Sequence, residues 1–338
     1  MPPGAGRPRP VPAGNDGVFR RDRSPVKPTP ENKMKTPPRI VIVGAAGRLG
    51  QALERRFSRE MEVIGMTRPG IDLASAESIA AALGPLDFDF LILPAAMTAV
   101  DPCESRQAEA YAINAAAPGQ IAAICAEKGA HMTYVSTDFV FEGTKAGAYT
   151  EEDSARPVSV YGASKLKGEE VVLAAAEDNL VVRVSWLYGP GKPAFPEWIV
   201  EKACAESTLL LPADKSGCPT SSVDVAEMLV SLLIGGERSP ARGIYHLCNS
   251  GGCTWAEWGQ ACIDLAREAG APVRAETVSG NSLADIAAFL AKRPANSVLS
   301  NSKFAARTGV TPRPWRDALR EHFQTSDSFK KFKAATCG

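Results

Sequence analysis

Two residues in "PVSVYGASKLKGEE", residues 157 to 170, could do chemistry together: Tyr161 and Lys165. At i and i+4 they share one face of a helix and can reach the same small object. On a surface such a pair carries no chemistry; in a cleft the phenol is an acid and the ammonium its tuner. Free tyrosine has a pKa of about 10, too high for easy proton transfer near neutrality, and a nearby ammonium stabilises the phenolate and lowers that value. Ahead of the pair, "VSTDFVFEG" supplies Thr137, a hydroxyl suited to a carbonyl oxygen on which negative charge develops. Each of the three residues alone also fits a structural role. Their order on one scaffold argues for a catalytic one.

That scaffold begins at "RIVIV", residues 39 to 43, a short apolar run rich in β-branched residues, as expected of a strand buried on both faces. It runs into Gly44, Gly47 and Gly50, and then into apolar residues at helical spacing, Leu49, Leu53 and Phe57. Glycines between a buried strand and a helix allow a tight turn and close backbone approach to a pyrophosphate, with the helix N-terminus favouring the anion. The next strand, "MEVIGM", is followed by "TRPGIDL", with Arg68 and no acid before Asp72. A cation there accepts a 2′-phosphate, where an acid would bind a ribose hydroxyl. Arg48, inside the glycine turn, is a second cation. Both arginines also fit plain surface positions.

Further strands are expected at "FDFLILPAA", "HMTYVS" and "LVVRVSWLYG", alternating with an alanine-rich helix, "AYAINAAAPGQIAAICAEKGA", and a helix from about 161 to 177. Strands alternating with helices of 10–15 residues predict βαβ units and an α/β fold: a Rossmann-type, doubly wound parallel sheet. The dinucleotide-binding domain is expected over 39–190, with 223–247 returning to it. A smaller substrate lobe is expected over 191–222 and 248–323; beyond 191, helices are expected near 194–206, 223–235, 254–269 and 315–323 and short strands at "TLLLPA" and "GIYHLCN". Residues 324–338 are expected to form a tail.

Composition bounds the partners. The 338 residues have a formal net charge of zero, which argues against nucleic acid or an anionic membrane as the target. The balance conceals a basic arm. Residues 1–38 carry eight Lys/Arg and three Asp/Glu, a charge of +5, with ten prolines and few bulky apolar residues, a composition expected to be disordered. No run approaches the roughly 18 apolar residues of a membrane span. Eight cysteines are scattered among apolar segments and only three histidines are present, which makes a zinc site a poor fit and points to reduced thiols in the cytoplasm.

A hydroxyl, then Tyr-x-x-x-Lys at a helix start, on a nucleotide fold, is the layout of the short-chain dehydrogenase/reductase superfamily. The resemblance goes further. "AAMTAVDPCES", "YAINAAAPG", "STDFVFEG", "YTEEDSARPVSVYGASKLKGEE", "RVSWLYG", "SGCPTSSVDVA", "GIYHLCNSGGCTWAEW" and "RPANSVL" follow one another as in the dTDP-4-dehydrorhamnose reductase family, across about 39 to 323. The resemblance implies an NADPH-dependent enzyme, with NADH as the other donor, that reduces the C4 ketone of dTDP-4-dehydro-L-rhamnose. It implies Thr137, Tyr161 and Lys165 as the catalytic trio. Gly47, Arg48, Leu49, Asp72, Leu73, Ala95, Ala96 and Val135 fall where the family touches the dinucleotide, and Tyr161 and Lys165 face it too, the ammonium reaching the nicotinamide ribose. Thr137, Asp138, Phe139 and Trp186 fall where it holds the sugar. No metal is assigned, and a monomer or homodimer is expected.

Two residues depart from the pattern. Phe139 stands where the family has tyrosine, keeping the shape and losing a hydrogen bond, and Pro94 stands where a polar residue is common. Phe139 also occupies the place of a glutamate that dehydratases of nucleotide sugars use, which counts against dehydration. Epimerases and other nucleotide-sugar reductases remain as neighbouring readings. So does a non-catalytic regulatory subunit resembling that of methionine adenosyltransferase, which keeps the Tyr-Lys pair. Arg68→Ala is expected to raise the KM for NADPH and leave that for NADH little changed in steady-state assays. Equal use of both cofactors by the wild type would mean that the arginines simply face solvent.

Overall fold

The computed structural model describes residues 37–235, 239–327 and 329. The basic arm lies outside them but for its last two residues, and so does most of the expected C-terminal tail. Of that tail, Thr325 closes a helix and Phe329 is buried, stacked on Phe323 with ring centroids 4.0 Å apart.

Five strands follow in chain order: β1 (Arg39–Val43), β2 (Glu62–Met66), β3 (Phe90–Leu93), β4 (His131–Thr137) and β5 (Leu180–Val184). With Gly243–His246 they make one six-stranded sheet in which β2, β1, β3, β4, β5 and that last strand lie side by side, every pair parallel. This is the doubly wound Rossmann sheet. Alternate residues of each strand feed opposite faces. Ile40, Ile42, Ile92, Val135 and Val182 pack with Leu49, Leu53 and Phe57 of α1 (Arg48–Phe57). Val41, Val43, Leu91, Leu93, Met132 and Tyr134 pack on the other face with α2 (Ala76–Leu83) and with helices that follow β3. Runs buried on both sides explain why these strands read as continuously apolar.

The connection after β3 is α3 (Val100–Ser105), α4 (Gln107–Tyr111), a widened π turn at Ala112–Ala116 and α5 (Ala117–Lys128). The single alanine-rich helix expected here is therefore interrupted. The turn carries Asn114, whose carbonyl takes the Tyr134 hydroxyl at 2.7 Å while its side chain binds the Met97 backbone and Ser164. Tertiary partners thus override local helix preference, and such wide turns gather at functional sites.

The helix α6 (Val160–Ala175) follows β4 and lies over the sheet, ending two residues before the expected end. Beyond β5 come α7 (Phe195–Ala205), α8 (Ser222–Leu233), α9 (Trp255–Glu268), α10 (Ser302–Thr308) and α11 (Trp315–Thr325). α7, α9 and α11 share a separate core built around Ile199, Leu211, Trp258, Ile263, Trp315 and Phe323. Within it Thr208–Pro212 pairs in parallel with Thr277–Asn281, a strand that sequence patterning misses because glycine, serine and asparagine dilute it. α8 packs on the sheet face beside α1. α10, in the span expected for the substrate lobe, does the same through Phe304. Among the described residues no helix is long and apolar enough to cross a membrane.

Candidate active site

The order β2-β1-β3 reverses the winding at β1 and β3, and the C-terminal ends of these strands open the crevice where α/β sheets bind ligands. Gly44, with φ of 106°, turns the chain there; its amide donates to Met66 O and Ala95 N donates to Val43 O. A Cβ on Gly50 would stand 2.1 Å from Gly44 O, so only glycine lets α1 come this close to the turn. Gly47 is the N-cap of α1 and no side chain caps the helix, which leaves its first amides directed at the crevice. This cradle fits a pyrophosphate. Leu49 is buried beneath it, Ala95 packs against Gly44 just beyond β3 with Ala96 next in the chain, and Leu73 packs on the α2 face. Asp72 Oδ1 accepts from Ala74 N at 3.1 Å, shaping the turn after β2.

Arg68 is exposed beyond β2, as a contact to a 2′-phosphate requires. Arg48 behaves differently from the expectation. Its guanidinium donates to Gly189 O at 2.7 Å and Pro193 O at 3.2 Å, so it ties the glycine turn to the loop after β5 instead of standing free for an anion. Burial lowers its pKa, in keeping with that role.

Tyr161 and Lys165 come together with Thr137 at the end of β4. Ser159 caps α6 by accepting from Gly162 N at 3.2 Å, and Glu104 Oε1 accepts from Val160 N at 2.8 Å. These two caps set the first turn, on which Tyr161 sits 8% exposed. Gly162 packs on the turn after β4, where a Cβ would meet Phe139 O at 2.2 Å. Burial raises the Tyr161 phenol, and a hydrogen bond with Thr137 opposes the shift, while Asp138 and Cys103 add to it. Lys165 does not figure among the influences on that phenol. Its ammonium donates to Val135 O at 2.6 Å and lies 4.0 Å from the Tyr134 ring centroid. Burial pulls it down to about 7 against the pull of Glu169.

On the sugar side, Phe139 meets Tyr161 edge-on with centroids 5.6 Å apart. Trp186 has a left-handed backbone, φ 42°, and stacks on Trp258 at 5.4 Å. Non-glycine residues avoid that region, and such strain collects at ligand sites. Gly217 lies under the indole, where a Cβ would come within 2.3 Å of Cε2. Asp138, expected to touch the sugar, is turned inward and 2% exposed. Its Oδ1 accepts from Thr137 Oγ1 and its Oδ2 from Ser185 Oγ, each at 3.0 Å. Asp138 opens a short 3-10 turn, Asp138–Val140, that Thr137 caps by accepting from Phe139 N at 3.2 Å, so the chain leaves the strand here and the two side chains meet.

Several residues at the site were not singled out from sequence. Asn114 knits the π turn to α6 through Ser164 Oγ at 3.0 Å. Asp101 and Glu104, three apart on α3, face different partners: Asp101 pairs with Arg293 at 2.7 Å, while Glu104 caps α6. Lys215 is buried near Phe139 and Trp186. All but Lys215 lay inside recognisable motifs; what was missing was their pairing across 50 or more residues of chain.

The family model described as the RmlD substrate binding domain matches residues 38–328. The chain belongs to this family, that of the dTDP-4-dehydrorhamnose reductases. It is 34% identical over 291 residues to the spore coat polysaccharide biosynthesis protein SpsK of Bacillus subtilis (strain 168), covering 86% of this chain and 98% of the relative. It is 37% identical over 293 residues to the dTDP-4-dehydrorhamnose reductase of Mycobacterium tuberculosis (strain ATCC 25618 / H37Rv), covering 83% and 91%. The crystal structure of dTDP-4-dehydrorhamnose reductase from Bacillus anthracis str. Ames in complex with NADP superposes with a TM-score of 0.78 at 27% identity, covering 85% of this chain and 99% of that one. The reductase family is one of oxidoreductases, and this chain is one of them.

Lys165 gives a test of the site's cost in stability. Unfolded, a lysine keeps its proton to about pH 10.4; folded, this one keeps it only to about 7. Below pH 7 the fold carries the full penalty of a buried ammonium. Between the two values the unfolded chain binds more protons, so the penalty shrinks as pH rises. Lys165→Met is therefore expected to raise Tm by several degrees at pH 6 and by much less at pH 9.5, measured by thermal denaturation, while turnover and nicotinamide affinity fall together. An unchanged Tm at pH 6 would show that the ammonium is not strained by burial.

Proposed function

We propose that this protein uses NADPH, with NADH as the lesser donor, to reduce the C4 ketone of dTDP-4-dehydro-L-rhamnose to dTDP-L-rhamnose. The observation that carries the reading is the meeting of Thr137, Tyr161 and Lys165 at the end of β4, between a glycine cradle and an aromatic wall made by Phe139 and Trp186. The reading carries with it a cytoplasmic enzyme, monomeric or homodimeric, whose partner is the nucleotide sugar.

The dinucleotide, when bound, supplies a hydride to the ketone carbon. Gly44, Gly47 and Gly50 would admit its pyrophosphate, the α1 amides would face the negative charge, and Arg68, exposed after β2, would be available to a 2′-phosphate. Tyr161 protonates the oxygen as negative charge grows on it, so the bond to its own proton breaks while a new O–H bond forms on the sugar. Burial keeps the phenol protonated until that moment. Lys165, at α6 position i+4, is placed to return a proton and to hold the ribose. Trp186 and Phe139 offer apolar faces for a 6-deoxy sugar and keep water off the ketone.

Tyr161→Phe is expected to leave cofactor binding nearly intact and to lower turnover by about 10²-fold or more, the scale of lost general acid catalysis. Steady NADPH oxidation across a small panel of keto-sugar nucleotides is the measurement. Tight binding without turnover would instead favour a non-catalytic binding protein. A hydroxyl at position 139 adds about 0.5–1.5 kcal/mol of hydrogen bonding. Phe139→Tyr should accordingly lower KM for dTDP-4-dehydro-L-rhamnose by up to about tenfold. Weaker binding of that sugar by the variant, with a better substrate found elsewhere in the panel, would mark Phe139 as a changed specificity and remove the rhamnose assignment.

A further inference from the structure

Behind Thr137 lies a buried polar cluster that proton transfer from Tyr161 does not by itself call for. Lys215, wholly buried between Thr208–Pro212 and Ser216–Gly217, donates to Ser297 Oγ at 3.0 Å. Ser297 Oγ donates to Ser216 O at 3.2 Å and, with Lys215, opposes the effect of burial on the Asp138 carboxyl, which receives Thr137 Oγ1 and Ser185 Oγ. The chain of contacts runs Lys215, Ser297, Asp138, Thr137, Tyr161. The same ammonium lies 5.4 Å from the Phe139 ring centroid and 5.7 Å from that of Trp186, beneath the wall of the sugar pocket. An ammonium under two rings with one hydroxyl partner is an uncommon arrangement for a residue type that is almost never fully buried unpaired.

We propose that Lys215 is a positioning residue for the reduction: its ammonium fixes Asp138 as an acceptor of the Thr137 hydroxyl, so that Thr137, one lone pair of which is held by Phe139 N, presents the other to Tyr161. The inference rests on the reductase reading for the role of Thr137. A hydroxyl has one proton and two lone pairs, and an ionised carboxylate only accepts. With Asp138 ionised, the Thr137 proton is committed inward and the Tyr161 proton is held in one orientation. With Asp138 protonated, the carboxyl donates to one of its neighbours and Thr137 is released to turn. Burial drives Asp138 toward the neutral form and Lys215 is the first influence opposing it. Burial likewise lowers Lys215, to about 8, and Asp138 holds it up, so the ammonium is charged at neutral pH. The other groups facing the pair are Tyr161 from α6, Cys248 beyond the Gly243–His246 strand, and Arg293, which faces Lys215.

The test compares Lys215→Gln, which removes the charge, with Lys215→Arg, which keeps it, in the full chain. Carboxyl carbon NMR of labelled aspartate, with the Asp138 signal assigned from Asp138→Asn, reads the midpoint directly. It is expected at higher pH in Lys215→Gln than in wild type and near the wild-type position in Lys215→Arg. The acid limb of kcat for dTDP-4-dehydro-L-rhamnose should move the same way, and kcat at pH 7 should fall about tenfold in Lys215→Gln, the scale of one misoriented hydrogen bond. An unmoved Asp138 midpoint in Lys215→Gln overturns the proposal whatever the activity. A wild type that does not turn over this sugar overturns the reductase reading instead, and the NMR comparison still judges the coupling. Should Lys215→Gln not fold, labelled lysine in Asp138→Asn provides the reciprocal measurement: Lys215 must lose its proton at lower pH than in wild type, and an unchanged midpoint refutes the link.

Discussion

The ion pair between Glu169 and Arg183 settles where α6 lies, and the site follows from it. Both side chains are buried, with Arg183 Nε 2.9 Å from Oε1 and its terminal nitrogen 2.6 Å from Oε2. Ser136 Oγ adds a third donor to the same carboxylate. Glu169 is one helical turn beyond Lys165, so a carboxylate bound to β5 and β4 pulls that face of α6 down onto the strand ends. A pair of this kind contributes little by itself once desolvation is subtracted, yet breaking one partner costs about 3–5 kcal/mol, because a charge is left buried alone. Its value here is registry: slide α6 by one turn and neither Tyr161 nor Lys165 faces Thr137.

Around that constraint the pocket is assembled from pieces that are distant in sequence. The carboxylates of α3 reach two ways, Glu104 to the start of α6 and Asp101 to Arg293 near the end of the chain. Arg293 in turn covers the Phe289 ring at 3.5 Å, and Phe289 meets Trp255 edge-on. Trp255 and Trp258 flank Trp186. The sugar wall is therefore the edge of an aromatic cluster belonging to the second core, while the catalytic trio belongs to the sheet. Close ring packing at such a junction favours preorganised catalysis, in which dipoles are already aimed when charge develops.

The two acids of the site are handled in opposite ways by one environment. Burial raises the Tyr161 phenol, which favours keeping its proton, and it raises Asp138 too, but there a cation and several donors oppose the shift. Lys165 and Lys215 are both fully enclosed amines, pulled down to about 7 and about 8, one behind the phenol and one behind the carboxylate. Enclosed amines that near neutrality are costly to fold around, and their presence in pairs beside a cleft marks a functional site more than a structural one.

Sequence alone determined the sheet, the glycine turn and the Tyr-Lys helix, because each is a local pattern: continuous apolar runs of strand length, glycines at a strand-to-helix junction, and two polar groups one turn apart. It also determined the family, since eight motifs in fixed order leave little room for coincidence. Tertiary structure decided what those residues do to one another. The π turn at Asn114 defeats helix propensity because its partners, Met97, Tyr134 and Ser164, come from β3, β4 and α6 or the loops beside them. Arg48 looks like a phosphate ligand in the glycine turn and is claimed by carbonyls 141 and 145 residues away. Asp138 looks like a sugar contact and is an interior acceptor, and Lys215 carries no motif at all until Phe139, Trp186 and Ser297 close around it. Periodicity reports which face of its own element a residue occupies. Which long-range partner waits on that face is set by how the elements pack, and no local spacing encodes it.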